Sequence, residues 1–203
     1  MEKRITTDAE LDEIYRSPVE ASIIKEVDHI SPHHRVFIEK SPFVVVASSG
    51  PDGLDCTPRG DPPGFVRVVD PHTVLIPDRR GNNRIDTLRN LVRDPRISLL
   101  FLIPGVGTTL RINGRAEIRA DDDLRQSFEM KKQLPATVLE VTAERVYTQC
   151  PKALIRSNLW DPSAHVDKSE LPSPGEILAA LKAGFDGAAW DEGYDAGVRK
   201  TLY

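Results

Sequence analysis

The chain has 203 residues, 27 of them basic and 31 acidic, with a formal net charge of −4. That length suits one domain with terminal additions and suffices for a full hydrophobic core. The mild charge balance lacks the basic footprint of a nucleic-acid binder, and the longest apolar run, 97–106, is interrupted by Ser98, Pro104 and Gly105 and is too short to span a bilayer. The N-terminus has no signal-peptide apolar stretch, and the two cysteines, Cys56 and Cys150, have no metal-ligand spacing. These features predict a cytoplasmic protein with two free, buried thiols and no metal site, nucleic-acid partner or membrane partner.

In chain order, residues 1–40 read as helices. Thr7-Asp8-Ala9-Glu10 and Ser17-Pro18-Val19-Glu20 both fit the capping box, in which Ser or Thr and Glu satisfy each other's orphan amides. Ser31-Pro32 opens a third helix, with Val36 and Phe37 as its expected buried face. From Pro42 to about Tyr147 the pattern changes to strands. Phe43 to Ala47 is a β-branched run followed by the turn Gly50-Pro51-Asp52-Gly53. Cys56 to Gly64 reads as a stiff, proline-rich connector. Phe65 to Val69 and Thr73 to Ile76 are two short strands around Asp70-Pro71, and Ile97 to Ile103 is a buried strand or barrel stave. Thr109 to Arg119 alternates: Leu110, Ile112, Gly114, Ala116 and Ile118 point one way, Arg111, Asn113, Arg115, Glu117 and Arg119 the other. Thr137 to Tyr147 completes five or six strands, which argue for a barrel rather than a parallel sheet.

One helix interrupts the strands, with Asn83 as its expected N-cap, Ile85, Leu88, Leu91 and Val92 as its apolar stripe and Asp94-Pro95 as its stop. Beyond the barrel, Pro151 to Leu159 reads as a short helix, 162–174 as a linker, and Ser173-Pro174-Gly175-Glu176 as the capping box of a further helix. Trp190 and Tyr194 are expected to pack a C-terminal helix onto the body. His33-His34 reads as a solvated pair.

The candidate site is Ile76-Pro77-Asp78-Arg79-Arg80-Gly81-Asn82-Asn83-Arg84. It combines guanidinium groups for charge-assisted contacts, a glycine that permits a sharp turn, and a helix N-terminus that favours an anion. A solvated basic face is the alternative from these residues alone. The connector adds Arg59, Gly60 and Asp61; the alternating strand adds Arg111, Asn113 and Arg115 on one face, outward or lining a groove.

The order Thr57-Pro58-Arg59-Gly60-Asp61, Val74 to Asp78, Gly81-Asn82-Asn83-Arg84, Asp94 to Phe101 and Leu110 to Ala116 resembles the pyridoxamine 5′-phosphate oxidase-like FMN-binding split barrels, over roughly residues 35–160. The resemblance implies a mainly β fold with flanking helices (α+β), a six-stranded split barrel over 41–160 with helical segments 1–40 and 161–203. It implies a homodimer with FMN at the subunit interface and terminal helices that cover the partner's barrel. It places Arg59, Asn83 and Arg84 at the phosphate, with Gly60, Asp61 and Asn82 beside them. The backbone of Ile76, Pro77 and Asp78 then follows the ribityl chain and ring, with Thr109 and Arg111 near the flavin and Trp160 in a wall beside it. Arg79 and Arg80 stay unassigned. Lys152 and Arg156, one helical turn apart, are candidates to meet an anionic small-molecule substrate. No side chain stands out as a general base, so the catalytic residues are unknown. Asp191 to Tyr203 departs from the oxidases' terminal motif and leaves the substrate open. The expected function is an FMN-dependent oxidoreductase; alternatives are a non-catalytic or redox-sensing flavin binder, or a relative that binds deazaflavin or haem.

Overall fold

The computed structural model describes residues 3–203; of the expected N-terminal segment 1–40, Met1 and Glu2 lie outside the described residues. The elements are α1 (Asp8–Asp12), α2 (Glu20–Ile24), α3 (Pro32–Lys40), β1 (Phe43–Gly50), β2 (Gly53–Gly60), β3 (Arg67–Asp70), β4 (Thr73–Asp78), α4 (Asp86–Arg93), β5 (Arg96–Leu102), β6 (Thr109–Arg119), α5 (Asp122–Ser127), β7 (Thr137–Gln149), α6 (Lys152–Ser157), α7 (Pro174–Leu181) and α8 (Gly187–Lys200). The strands form one antiparallel sheet in the order β2-β1-β5-β6-β7-β4-β3. Seven strands stand where six were expected.

The additional strand comes from the connector. The turn at Pro51-Asp52 pairs Gly50 with Gly53 and carries the register on to Phe43 opposite Gly60, so Cys56 to Gly60 is strand. Pro58 is tolerated because β2 is an edge strand, where a missing N–H need not break a ladder. The outward face of β2 is solvent-exposed, which corrects the expectation for Cys56: it is free but exposed, as is Cys150 at the end of β7.

Each strand turns alternate residues to a shared core. Val44 and Val46, Ile97, Leu99 and Phe101, Leu110 and Ile112, Val141 and Val146, and Val74 and Ile76 belong to one contiguous buried cluster. The predicted alternation of β6 holds, with Leu110, Ile112 and Ala116 buried and Arg115 and Glu117 exposed. The β6–β7 register shifts between Asn113 and Gly114; a Cβ on Gly114 would sit 1.9 Å from the Thr142 carbonyl oxygen, so the close approach requires glycine.

The sheet is rolled. In a flat sheet β2 and β4 lie five strand spacings apart, about 24 Å, yet Arg59 on β2 donates to Asp78 on β4 at 3.3 Å. Next to this pair Arg79 Nε donates to Asp61 Oδ2 at 2.8 Å. Two ion pairs therefore join the far sides of the sheet.

The helices depart from expectation at their ends. Thr7, Ser31 and Ser173 form the side-chain caps of α1, α3 and α7. The Ser17 box does not form: α2 begins at Glu20 behind an uncapped Val19, as a five-residue helix with no buried side chain to set its start. In α3 the buried residue is Ile38; Phe37 packs against the core from a half-buried position and Val36 is exposed. Asn83 is not the cap of α4. Asn83 and Ile85 both take left-handed backbone angles, φ 61° and 52°, which stop the helix from starting before Asp86. The linker 162–174 contains two short 3-10 turns, Pro162–Ala164 and Lys168–Glu170. No described helix is long and apolar enough to cross a membrane.

Candidate functional site

These ion pairs line a cleft of about 1420 Å³. One side is the inward face of β2, from Asp55 to Asp61. The floor is the loop from Asp78 to Ile85 and the first turn of α4, with Ala136 and Thr137 entering β7. The remaining wall is α8 and the residues up to Tyr203.

Four arginines line this cleft, Arg59, Arg79, Arg80 and Arg84, and four aspartates, Asp55, Asp61, Asp78 and Asp86. The pairing decides which cations are available. Asp61 has a side chain only 1% exposed and holds Arg79, whose Nη1 also donates to the Phe128 carbonyl at 2.7 Å. Arg59 is held by Asp78; burial raises the Asp78 carboxyl above its ordinary pKa, with Arg59 opposing the shift. Arg84 pairs with Asp86 at 2.8 Å across an exposed surface, and Asp55 accepts from Thr87 Oγ1. Among the described residues Arg80 makes no ion pair. It stands in the loop before α4, whose first turn faces the cleft and has no side-chain cap. Orphan amides and a guanidinium without an ion pair make this cleft receptive to an anion.

One more group is unsatisfied. The Oγ1 of Thr137 is buried without a hydrogen-bond partner, and Thr137 lines the same cleft.

Of the residues singled out from sequence, the structure gathers Arg59, Gly60, Asp61, Asp78, Asn82, Asn83 and Arg84 around the cleft. Ile76 and Pro77 lead into it along β4 as buried residues and are not part of its surface. Thr109, Arg111 and Trp160 lie outside the lining of the cleft. Thr109 is buried; Arg111 donates to the Tyr147 hydroxyl at 3.1 Å and to Gln149 Oε1 at 3.4 Å; Trp160 Nε1 donates to the Val106 carbonyl at 3.0 Å. Lys152 and Arg156 are exposed on the neighbouring α6. No described group of three or more His, Cys, Asp or Glu residues is placed to hold a metal ion.

Sequence reasoning left Arg80 unassigned because nothing local distinguishes it from Arg79; only the pairing does. It also missed the C-terminal wall. Trp190 and Tyr194, four residues apart, carried the signal of one helical face, but Tyr203 carried none, and its partner Asp61 is 142 positions away.

An antiparallel sheet rolled on itself, with ion pairs joining β2 and β4 across it and helices at its flanks, is a split β-barrel. The family model for pyridoxamine 5′-phosphate oxidase matches residues 30–150, and the chain belongs to that family. No curated protein sequence matches the chain. Similar solved structures include HupZ of Group A Streptococcus, at 19% identity over 60% of this chain and 94% of that chain, with a TM-score of 0.48. The General Stress Protein 26 of Bacillus anthracis matches at 12% identity over 56% of this chain and 88% of that chain, TM-score 0.44. A FAD-binding protein of Mesorhizobium loti matches at 12% over 59% and 93%, TM-score 0.40.

Proposed function

We propose that the chain is an FMN-binding flavoprotein, an FMN-dependent oxidoreductase of the pyridoxamine 5′-phosphate oxidase-like type acting on a small molecule, with residues 41–160 as its flavin-binding barrel. The observation that carries this reading is the anion-receptive lining of the cleft, which includes both Arg80, without an ion pair among the described residues, and the uncapped start of α4. The residues present fit the cofactor: Arg80, Asn82, Asn83 and Arg84 would hold its phosphate, with Arg59, Gly60 and Asp61 beside them, and the orphan hydroxyl of Thr137 is a partner for a polar atom of the ligand. Bound flavin supplies redox chemistry at its ring, and the protein supplies position, electrostatics and shelter from water. The Asp61–Arg79 and Asp78–Arg59 pairs hold the two sides of the cleft at a set width.

The working unit in this reading is a homodimer with flavin at the interface. It is supported by the separation of the two residue groups: Thr109, Arg111 and Trp160 do not line the cleft of their own chain, and a second copy is the element that brings them to it. Lys152 and Arg156, exposed on α6, are then the substrate-facing cations.

The test is to purify the protein, record its visible absorbance, release the chromophore by denaturation and identify it by mass. Arg80→Ala then removes one charge-assisted contact of about 1.5–3 kcal/mol, which weakens FMN binding about 10- to 150-fold. A protein that neither carries nor takes up FMN, or an Arg80→Ala variant with wild-type affinity, refutes this reading.

A further inference from the structure

Residues 187–203 lie outside the segment matched by the family model, 30–150, yet they supply one wall of the cleft. The wall is a well-built unit. Helices α7 and α8 touch backbone to backbone at Gly175 and Gly187, where a Cβ on Gly175 would lie 2.1 Å from the Gly187 carbonyl oxygen. Asp191 on α8 accepts from the Gly175 amide at 2.8 Å and from the Ser173 hydroxyl, and so caps α7 from across the hairpin. Gly184, with φ +78°, sits in the turn between the helices.

This hairpin is joined to the barrel through Tyr203. The Tyr203 hydroxyl donates to Asp61 Oδ1 at 2.5 Å, while the other oxygen of the same carboxylate accepts from Arg79. The centre of the Tyr203 ring lies 5.7 Å from the Arg79 guanidinium and 4.9 Å from the Lys131 ammonium, a cation–π contact with each. One buried carboxylate therefore serves two purposes: it closes the barrel edge through Arg79 and holds the wall through Tyr203. With the wall in place, Trp190 and Tyr194 line the cleft at 46% and 39% exposure, presenting two aromatic rings to its interior.

We propose that Tyr203 is a positioning residue that fastens the α7–α8 hairpin across the cleft, and that the fastened wall governs ligand access and offers an aromatic surface to a planar ring. The wall would retain a ligand that combines a flat aromatic system with an anionic group. The proposal shares its cleft with the flavin reading and rests on that reading only for the identity of the ring.

The test uses the full chain, its Tyr203→Phe variant, which keeps the ring and loses the hydroxyl, and Tyr203→Ala. In ligand-free protein, amide hydrogen exchange over 187–200 is expected to quicken at least fivefold in Tyr203→Phe and further in Tyr203→Ala, with β5 and β6 unchanged. Phenylglyoxal modification of Arg59, which lies in the cleft and is paired with Asp78 rather than with Tyr203, is followed by mass spectrometry and is expected to quicken in the same order. Unchanged exchange over 187–200, or faster exchange with unchanged modification of Arg59, overturns the proposal whether or not flavin binds. For the protein loaded with FMN, dissociation is expected to be at least tenfold faster in Tyr203→Phe. An unaltered dissociation rate overturns the role in ligand retention, whereas failure of wild type to take up FMN counts against the flavin reading alone.

Discussion

Replacing Asp61 with alanine tests the closure of the barrel. The Asp61 side chain is 1% exposed and Arg79 is 15% exposed, so the substitution leaves a guanidinium largely out of water without its carboxylate. Removing one partner of such a pair costs about 3–5 kcal/mol, mostly as the penalty of the orphaned charge. Arg79 keeps its bond to the Phe128 carbonyl, which puts the expected loss at the lower end, about 3 kcal/mol. At about 2–4 °C per kcal/mol for a chain of this size, the melting temperature falls by about 6–12 °C. The assay is urea unfolding of Asp61→Ala, Arg79→Met and the double variant Asp61→Leu/Arg79→Met, each repeated in the Tyr203→Phe background to subtract the wall. The double variant should lie within about 1 kcal/mol of wild type, because apolar groups of similar volume replace a buried pair at little net cost. An Asp61→Ala protein within about 0.5 kcal/mol of wild type, the range of ordinary surface changes, would refute the argument that this pair closes the sheet.

Three further outcomes are expected. Gly114→Ala places a Cβ against the Thr142 backbone oxygen, where no flexible side chain can yield, and should lower stability by about 3 kcal/mol in urea unfolding. Thr137→Val removes a buried hydroxyl with no partner and should stabilise the ligand-free protein by about 1 kcal/mol while weakening FMN binding, two readouts of opposite sign. The carboxyl of Asp94 is held below its ordinary value chiefly by the side-chain and backbone hydrogen bonds from Arg96. Its folded pKa is depressed, so its contribution is present above the ordinary carboxylate range and is lost as pH falls through and below 3.8. Asp94→Asn should therefore lower stability modestly at neutral pH and flatten the acid-unfolding curve below the ordinary carboxylate range, so that the difference from wild type closes as pH falls.

Periodicity made the central strands legible. The alternation from Leu110 to Ile118 and the β-branched run at Phe43 record which side of a strand meets the core, and a two-residue turn after Gly50 leaves little choice of pairing. Local signals also marked the caps at Thr7, Ser31 and Ser173, since a capping box is complete within four residues. The loop 78–84 was recognisable as a basic approach to a helix for the same local reason.

Pairing across the molecule was not legible. Whether Arg79, Arg80 or Arg84 is available to a ligand depends on which aspartate reaches it. Asp61 is brought to Arg79 only when the sheet rolls. The strand character of Cys56 to Gly60 came from its neighbour β1 rather than from its own proline-rich composition. The left-handed turn at Asn83 and Ile85 moved the start of α4 away from the residue with the best capping chemistry. By itself the sequence determined every strand but β2, their inward faces and a basic loop, because these follow from neighbours two to four residues apart. The closed barrel, an Arg80 without an ion pair among the described residues, and the wall held by Tyr203 were decided by tertiary structure, because each depends on groups that are distant along the chain and meet only once the sheet has curled.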